Sequence, residues 1–376
     1  LKTIYKTGDI DFSFQVSIIG KDNQINFEIE GEALSEFRTN RVGFCVLHPI
    51  RECTGKNCEV TGPDGKKQSY SFPELISPHQ PMKNIAEMRW KAEQNIEVRL
   101  SFEGDIFEME DQRNWTDDSF KTYCRPLELP FPFVLKKGDK IHQRINLEVS
   151  GEVAAEPPTQ TAYQLRYDDN MKFPLPKIGI AQAESKPSLA ENEVELLRKP
   201  GFDYYDISVI FEDSWISELK SGVEEAALLG MKLGLRAYFS ENFAMEIRQL
   251  SSVLEHHQDA IDSILILETQ HTITSDKFVF KIIDSLRNTF PKSRIGGGTT
   301  GFFAELNRNR ILSNDLDFIS YSITPQVHAF DNATLIENLN GQSDTVRSAT
   351  EFAGNKKNSD SPGHFKNAVQ PGCHLN

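Results

Sequence analysis

No apolar run in the 376-residue chain approaches the roughly 20 residues that a helix needs to cross a bilayer, which excludes a helical membrane protein. Basic charge is also in short supply. Lys and Arg total 41 against 55 Asp and Glu, a formal charge of -14, and a nucleic-acid partner requires the opposite balance. A small anionic product is still admissible where a single Arg or Lys receives it. Cysteine is sparse at 5 residues (Cys45, Cys53, Cys58, Cys124, Cys373), an odd and scattered set that does not form a disulfide framework. Cys53 and Cys58 lack the second pair that a zinc site needs, so free thiols are expected, with no metal and no cofactor. The sequons Asn114-Trp-Thr116 and Asn332-Ala-Thr334 matter only in a secreted protein; no leader is legible, and the cytoplasm is the expected compartment.

What is present is ordinary globular material: 38% hydrophobic and 26% charged residues, with 25 Phe suited to large rigid cores. The length exceeds what one core usually holds, so two domains are expected. Residues 12–19, 25–30, 42–48, 96–102 and 141–149 alternate apolar and polar side chains, the period of half-buried strands. Gly62-Pro-Asp-Gly65 supplies turn chemistry between two of them. Residues 1–150 therefore read as an antiparallel β-sandwich. Residues 151–176 keep no clean period and read as a linker.

A different rhythm runs from 177 to 354. Short apolar strands at 177–181, 204–211, 233–239, 261–267, 293–296 and 318–323 alternate with helical stretches at 189–197, 215–229, 243–257 and 278–290. Strands buried on both faces and separated by helices imply a parallel sheet. About six β/α units of roughly 30 residues each fit a (β/α)8 TIM-type barrel short of its last strands, or an open doubly wound sheet. One more helix is expected after Asp331, and residues 355–376 read as an irregular polar tail.

In such a sheet the reactive groups gather at the C-terminal strand ends. Glu268 ends the Leu-Ile-Leu run of the fourth strand, with His271 three residues on; it is either a general acid or base or a cap on the next helix. The fifth strand opens into Gly296-Gly-Gly-Thr-Thr-Gly301 and then Glu305, Asn307 and Arg308, and the sixth runs into His328 and Asp331. Arg236 lies within the third strand. Carboxylates at two strand ends can flank a small ester or acetal, one activating water while the other donates a proton. Glu268, Glu305 and His328 are the catalytic candidates; Arg236, Asn307, Arg308 and Asp331 are the substrate-binding ones. Asp213 reads as an N-cap, and His256-His257 as the surface of a helix. The bare G-x-G-x-x-G reads as tight turning beside a pocket rather than a dinucleotide site, because it follows the fifth strand and no helix-opening pattern comes after it.

Between residues 107 and 126 the alternation fails, and acidic, basic, amide and aromatic side chains crowd together. Trp115 can stack on a sugar ring while Asp111, Arg113, Asn114 and Lys121 read hydroxyls or a carboxylate; equally, the segment can be an internal polar network.

That segment from Met109 to Pro126, with His48-Pro49-Ile50 and the stretch from Pro73 to Pro81, resembles the N-terminal domain of D-apionate lactonases. The resemblance continues through Gly296-Gly-Gly-Thr299, Glu305-Leu-Asn-Arg308 and Pro325-Gln-Val-His-Ala-Phe-Asp331, and covers roughly residues 1–350. It implies a β domain, a glycosidase-like barrel and a further C-terminal β domain. The implied activity is hydrolysis of D-apionolactone to D-apionate in bacterial catabolism of apiose, with a small-molecule sugar lactone as partner. The final barrel strands and third domain are not recognisable here, so a truncated or non-catalytic carbohydrate-binding relative is an alternative. A glycoside hydrolase using the same carboxylates is another.

Overall fold

The computed structural model describes residues 1–93, 95–151, 176–183 and 189–354. The expected linker, apart from its ends, and the expected tail with Cys373 lie outside them. The chain divides into two compact units, residues 1–165 with 331–344, and residues 166–330 with 345–376. Among the described residues no helix is long and apolar enough to cross a membrane.

The first unit is mostly antiparallel sheet. Its strands begin with β1 (Lys2–Thr7), β2 (Ile10–Lys21), β3 (Gln24–Ala33), β4 (Phe37–Thr39) and β5 (Cys45–Pro49). After the short helix α1 (Ile50–Cys53) come β6 (Asn57–Thr61), β7 (Lys67–Ser71), β8 (Met82–Ile85), β9 (Glu87–Glu93) and β10 (Ile96–Glu103). The unit continues with β11 (Phe107–Asp111), β12 (Ser119–Cys124), β13 (Phe133–Leu135) and β14 (Lys140–Gly151). An eight-stranded sheet runs β1-β2-β3-β14-β10-β9-β6-β7, and a four-stranded sheet runs β5-β12-β11-β8. Both contribute to one core: Met88, Trp90, Leu100 and Phe102 from the larger sheet pack with Phe107, Met109, Phe120 and Cys124 from the smaller. Each fully buried side chain of this size contributes about 1.5–3 kcal/mol. The crowded segment 107–126 is strand over most of its length. It is a hairpin of β11 and β12, in register from Phe107↔Cys124 to Asp111↔Phe120, with a 3-10 turn over Gln112–Trp115.

In the second unit β15 (Gly179–Ala181), β16 (Tyr204–Ile210), β17 (Lys232–Phe239), β18 (Ile261–Glu268), β19 (Arg294–Phe302) and β20 (Phe318–Ser322) form one parallel sheet in chain order. The order never reverses, which removes the doubly wound alternative, since that fold has a switch point. Helices α2 (Glu191–Arg198), α3 (Trp215–Leu229), α4 (Phe243–Val253) and α5 (Asp276–Thr289) alternate with the strands; α6 (Phe303–Arg308) and α7 (Asn332–Gly354) follow. Alternation sorts each strand. Leu233, Leu235, Ala237 and Phe239 of β17 join Ile264 and Ile266 of β18 in the core that Leu219, Ile247, Ile282 and Leu286 of the helices complete. Leu265 and Leu267 face the other way, with Tyr238 and Phe318.

Four local expectations are corrected. The glycine run is strand rather than turn: Gly296 lies where a Cβ would stand 2.3 Å from the Phe318 ring, and Gly298 has φ +154 with Ser320 O 2.0 Å from a would-be Cβ. A helix, α6, does open directly after it, so Glu305, Asn307 and Arg308 are helical. His256 and His257 lie beyond the end of α4 in a turn, and Ser214 rather than Asp213 is the N-cap position of α3.

Candidate active site

The ends of β18 and β19 are bound to each other by the hydroxyls of two threonines. Thr274 Oγ1 accepts from Gly298 N at 3.1 Å and lies 3.0 Å from Gly298 O, while also reaching Ile266 O. Thr299 Oγ1 donates to Thr272 O and accepts from Gly301 N at 2.8 Å. Neither threonine was a sequence candidate. Short hydroxyl side chains beside glycines are frequent turn material, and only their partners reveal the role.

Glu268 stands on the first of these stitched ends, and Glu305 lies in the first turn of α6, directly after the second. Glu268 is the last residue of β18 and 9% exposed. Its parity with Ile264 and Ile266 sends the side chain toward the helical side. There Oε1 accepts from Ser275 N at 2.6 Å, at the N-cap of α5, and Oε2 lies 3.8 Å from His271 Nε2. The helix-capping reading of Glu268 is therefore present in the geometry. Glu305, in the first turn of α6, packs close to Gly301, whose would-be Cβ is 3.3 Å from Glu305 Cδ. Its Oε2 is buried and has no hydrogen-bond partner among the described residues, although the side chain as a whole is half-buried. Burial without a donor is costly for a carboxylate oxygen and calls for a proton, a water or a ligand hydroxyl.

The other barrel candidates separate. Asn307 is 2% exposed, and its Oδ1 accepts from Arg310 Nη2 at 2.9 Å and Nε at 3.2 Å, which ties down the end of α6. Arg308 and His328 are exposed. Asp331 groups with the first unit and caps α7: its oxygens accept from Thr334 N at 3.0 Å and Thr334 Oγ1 at 2.7 Å, bonds that hold its carboxyl below the usual range. Arg236 sits mid-strand rather than at the rim, with Nε 2.6 Å from Asp206 Oδ2. Both belong to the sheet face opposite the helical core. Burial pushes the Asp206 carboxyl up while Arg236 opposes the shift. Asp206 was missed, although a carboxylate inside a β-branched run beside a strand carrying Arg is a readable signal.

In the first unit the candidate segment splits in two. Asp111, Arg113 and Asn114 are 1%, 0% and 2% exposed and point inward. Arg113 Nη2 meets Asp111 Oδ2 at 2.8 Å and Pro73 O at 2.9 Å, Nε meets Asp111 Oδ1 at 2.9 Å, and Nη1 meets Asp344 Oδ2 at 2.6 Å. Asn114 Nδ2 donates to Ser77 O at 2.6 Å. This is the internal network, within one unit. Trp115 and Lys121 meet instead on Glu110: Trp115 Nε1 donates to Oε1 at 2.9 Å, and Lys121 Nζ lies 3.0 Å from Oε2.

Burial raises the thiols of Cys53, Cys58 and Cys124 to about 11, 12 and 11, as unreactive core cysteines. Among the described residues Glu28, Glu30 and His142 bring ligand atoms within 4.8 Å of one another, but Arg144 already holds Glu28 at 2.8 Å.

An antiparallel β unit followed by a parallel β/α unit whose strands run in chain order is the architecture of a β domain joined to a TIM-type barrel domain. The chain belongs to the D-apionate lactonase family: residues 1–152 match the family's N-terminal domain and residues 178–371 its TIM barrel domain. A D-apionate lactonase of Brucella anthropi is 30% identical over 356 residues, covering 88% of this chain and 57% of that protein. The chain thus spans 57% of the length of this curated relative. Among solved structures, the Slr1438 protein of Synechocystis sp. PCC 6803 aligns at 14% identity over 40% of this chain and 61% of the other, with a TM-score of 0.29. A likeness that weak carries nothing about fold or activity.

Proposed function

We propose that this chain takes part in opening a sugar-acid lactone, D-apionolactone to D-apionate, within cytoplasmic apiose catabolism. On this reading the two larger sheets of the first unit form a sandwich, and the parallel sheet is the leading part of a barrel that further residues close. Similarity to the Brucella anthropi lactonase supports the reaction class. The observation that carries the mechanism is the buried Oε2 of Glu305, without a hydrogen-bond partner among the described residues, in the first turn of the helix that follows β19.

The chemistry follows from the ester. Water adds to the lactone carbonyl carbon as Glu305 takes its proton, leaving a tetrahedral oxyanion. The ring C–O bond then breaks and the departing oxygen recovers a proton from the same carboxyl. His328 supports the oxyanion charge, and Glu268 fixes the neighbouring loop by accepting from Ser275 N at the start of α5. Arg308 contributes to the surroundings of the ring rather than to bond making, and Asn307 holds the end of the helix that carries it.

A pH-stat assay with D-apionolactone tests the reaction. Saturable acid release is expected, with Glu305→Gln lowering kcat by on the order of 100-fold or more. Near-normal turnover in both Glu305→Gln and Glu268→Gln would end the carboxylate mechanism, and phenol release from aryl glycosides without lactone opening would replace it with glycoside hydrolysis.

A further inference from the structure

The first unit contains a cavity of about 270 Å3 lined by Arg41, Gly43, Phe44, Cys45, Glu110, Lys121, Tyr123 and Cys124. Three side chains give it a chemical character. Arg41 stacks its guanidinium 4.7 Å from the centre of the Tyr123 ring, and Lys121 Nζ lies 5.5 Å from the same centre. Tyr123 is itself fixed, since its hydroxyl donates to Glu108 Oε1 at 2.6 Å. Two cations thus converge on one anchored ring, against a single lining carboxylate, Glu110. That carboxylate sits cross-strand from Lys121 and takes its Nζ at 3.0 Å, leaving the ammonium further donors.

The wall that carries Arg41 is held in advance. Phe44 N donates to Gln143 Oε1 at 2.9 Å, Gln143 Nε2 donates to Val42 O at 3.3 Å, and Cys124 Sγ reaches Val42 O at 3.4 Å. Arg41 is exposed, and among the described residues no carboxylate forms an ion pair with it. A locally positive, preformed cavity is unusual on a chain with a formal charge of -14, where the overall field repels anions.

We propose that this cavity binds a small hydroxylated carboxylate of the aldonate class. The Arg41 fork receives the carboxylate bidentately, Lys121 adds a second donor, and Glu110 and the Tyr123 face take the hydroxyls and the carbon chain. The volume lies just below the roughly 300 Å3 at which ligand pockets usually begin, so the occupant is small. An aldonate is also the class of the proposed reaction's product, but binding of an aldonate is read without any lactone present, so its failure leaves the hydrolytic reading untouched.

Isothermal titration of the full chain with D-ribonate, with ribitol as the uncharged control, tests the site. Saturable ribonate binding without ribitol binding is expected. Arg41→Ala and Lys121→Gln should each weaken it by on the order of 10- to 100-fold, and Arg41→Lys by less. The thermal midpoint of the Arg41 variants should match the parent, because the side chain is exposed. Unchanged ribonate affinity in Arg41→Ala and Lys121→Gln, equal binding of ribitol, or no saturable binding overturns the proposal.

Discussion

His48 shows how much a single buried group can tell. It is 2% exposed, its Nε2 lies 2.8 Å from Thr122 Oγ1, and Phe72 and Trp90 pack against its ring. Burial lowers its pKa from 6.5 to about 4, so the folded state holds it neutral where the unfolded chain would be protonated. The stability this contributes is complete above pH 6.5 and is lost as the pH falls toward 4, about 1.4 kcal/mol per unit and about 3 kcal/mol in all. Urea midpoints across that range check it, and His48→Gln should flatten this part of the profile. Arg113 gives a second prediction. With 0% exposure and two aspartate partners, Arg113→Met leaves Asp111 charged and unpaired, at a cost of about 3–5 kcal/mol. Adding Asp111→Asn should recover part of that loss, and failure to recover any would mean that packing, not charge, holds the segment.

At the scale of elements, β19 and α7 carry their own tests. The glycine run of β19 is a strand because a neighbouring strand presses on it. Gly298→Ala meets the Ser320 carbonyl 2.0 Å from the new Cβ at φ +154, whereas at Gly297 the nearest contact is the flexible end of Leu316 at 2.8 Å. Gly298→Ala should therefore lower the thermal midpoint far more than Gly297→Ala. Equal midpoints would show that the strand can move aside. Asp331 caps α7, and its hydrogen bonds to Thr334 favour the charged form. Asp331→Ala should lower the midpoint near neutral pH. That difference should be lost at acid pH, as the pH falls through the depressed pKa of the carboxyl and the parent cap is neutralised.

For the whole molecule, chain order and compact units do not coincide. Asp344 and Asn338, though they follow the parallel sheet in sequence, group with the first unit. There they meet Arg113 at 2.6 Å and Asp117 at 3.0 Å. A chain stopped after Phe330 loses both partners, and its first unit should melt at a lower temperature than in the parent. An unchanged first-unit transition would make these long-range bonds dispensable. The chain belongs to the D-apionate lactonase family, and acid release from D-apionolactone is the whole-molecule measurement that tests the proposed activity.

Periodicity alone determined the β-rich first part and the six parallel strands, because burial on one or both faces imposes a period of two or an apolar run on any sequence that folds this way. The motifs at 107–126 and 296–331 determined the family resemblance. Tertiary structure decided the rest. Whether Asp111, Arg113 and Asn114 face a ligand or one another depends on Asp344 and the carbonyls of Pro73 and Glu74, distant in sequence and chemically ordinary. Whether Glu268 caps a helix while Glu305 keeps a bare oxygen depends on where a strand stops and which donors reach it. Side-chain type fixes what a group can do; its partners, brought together only by the fold, fix what it does.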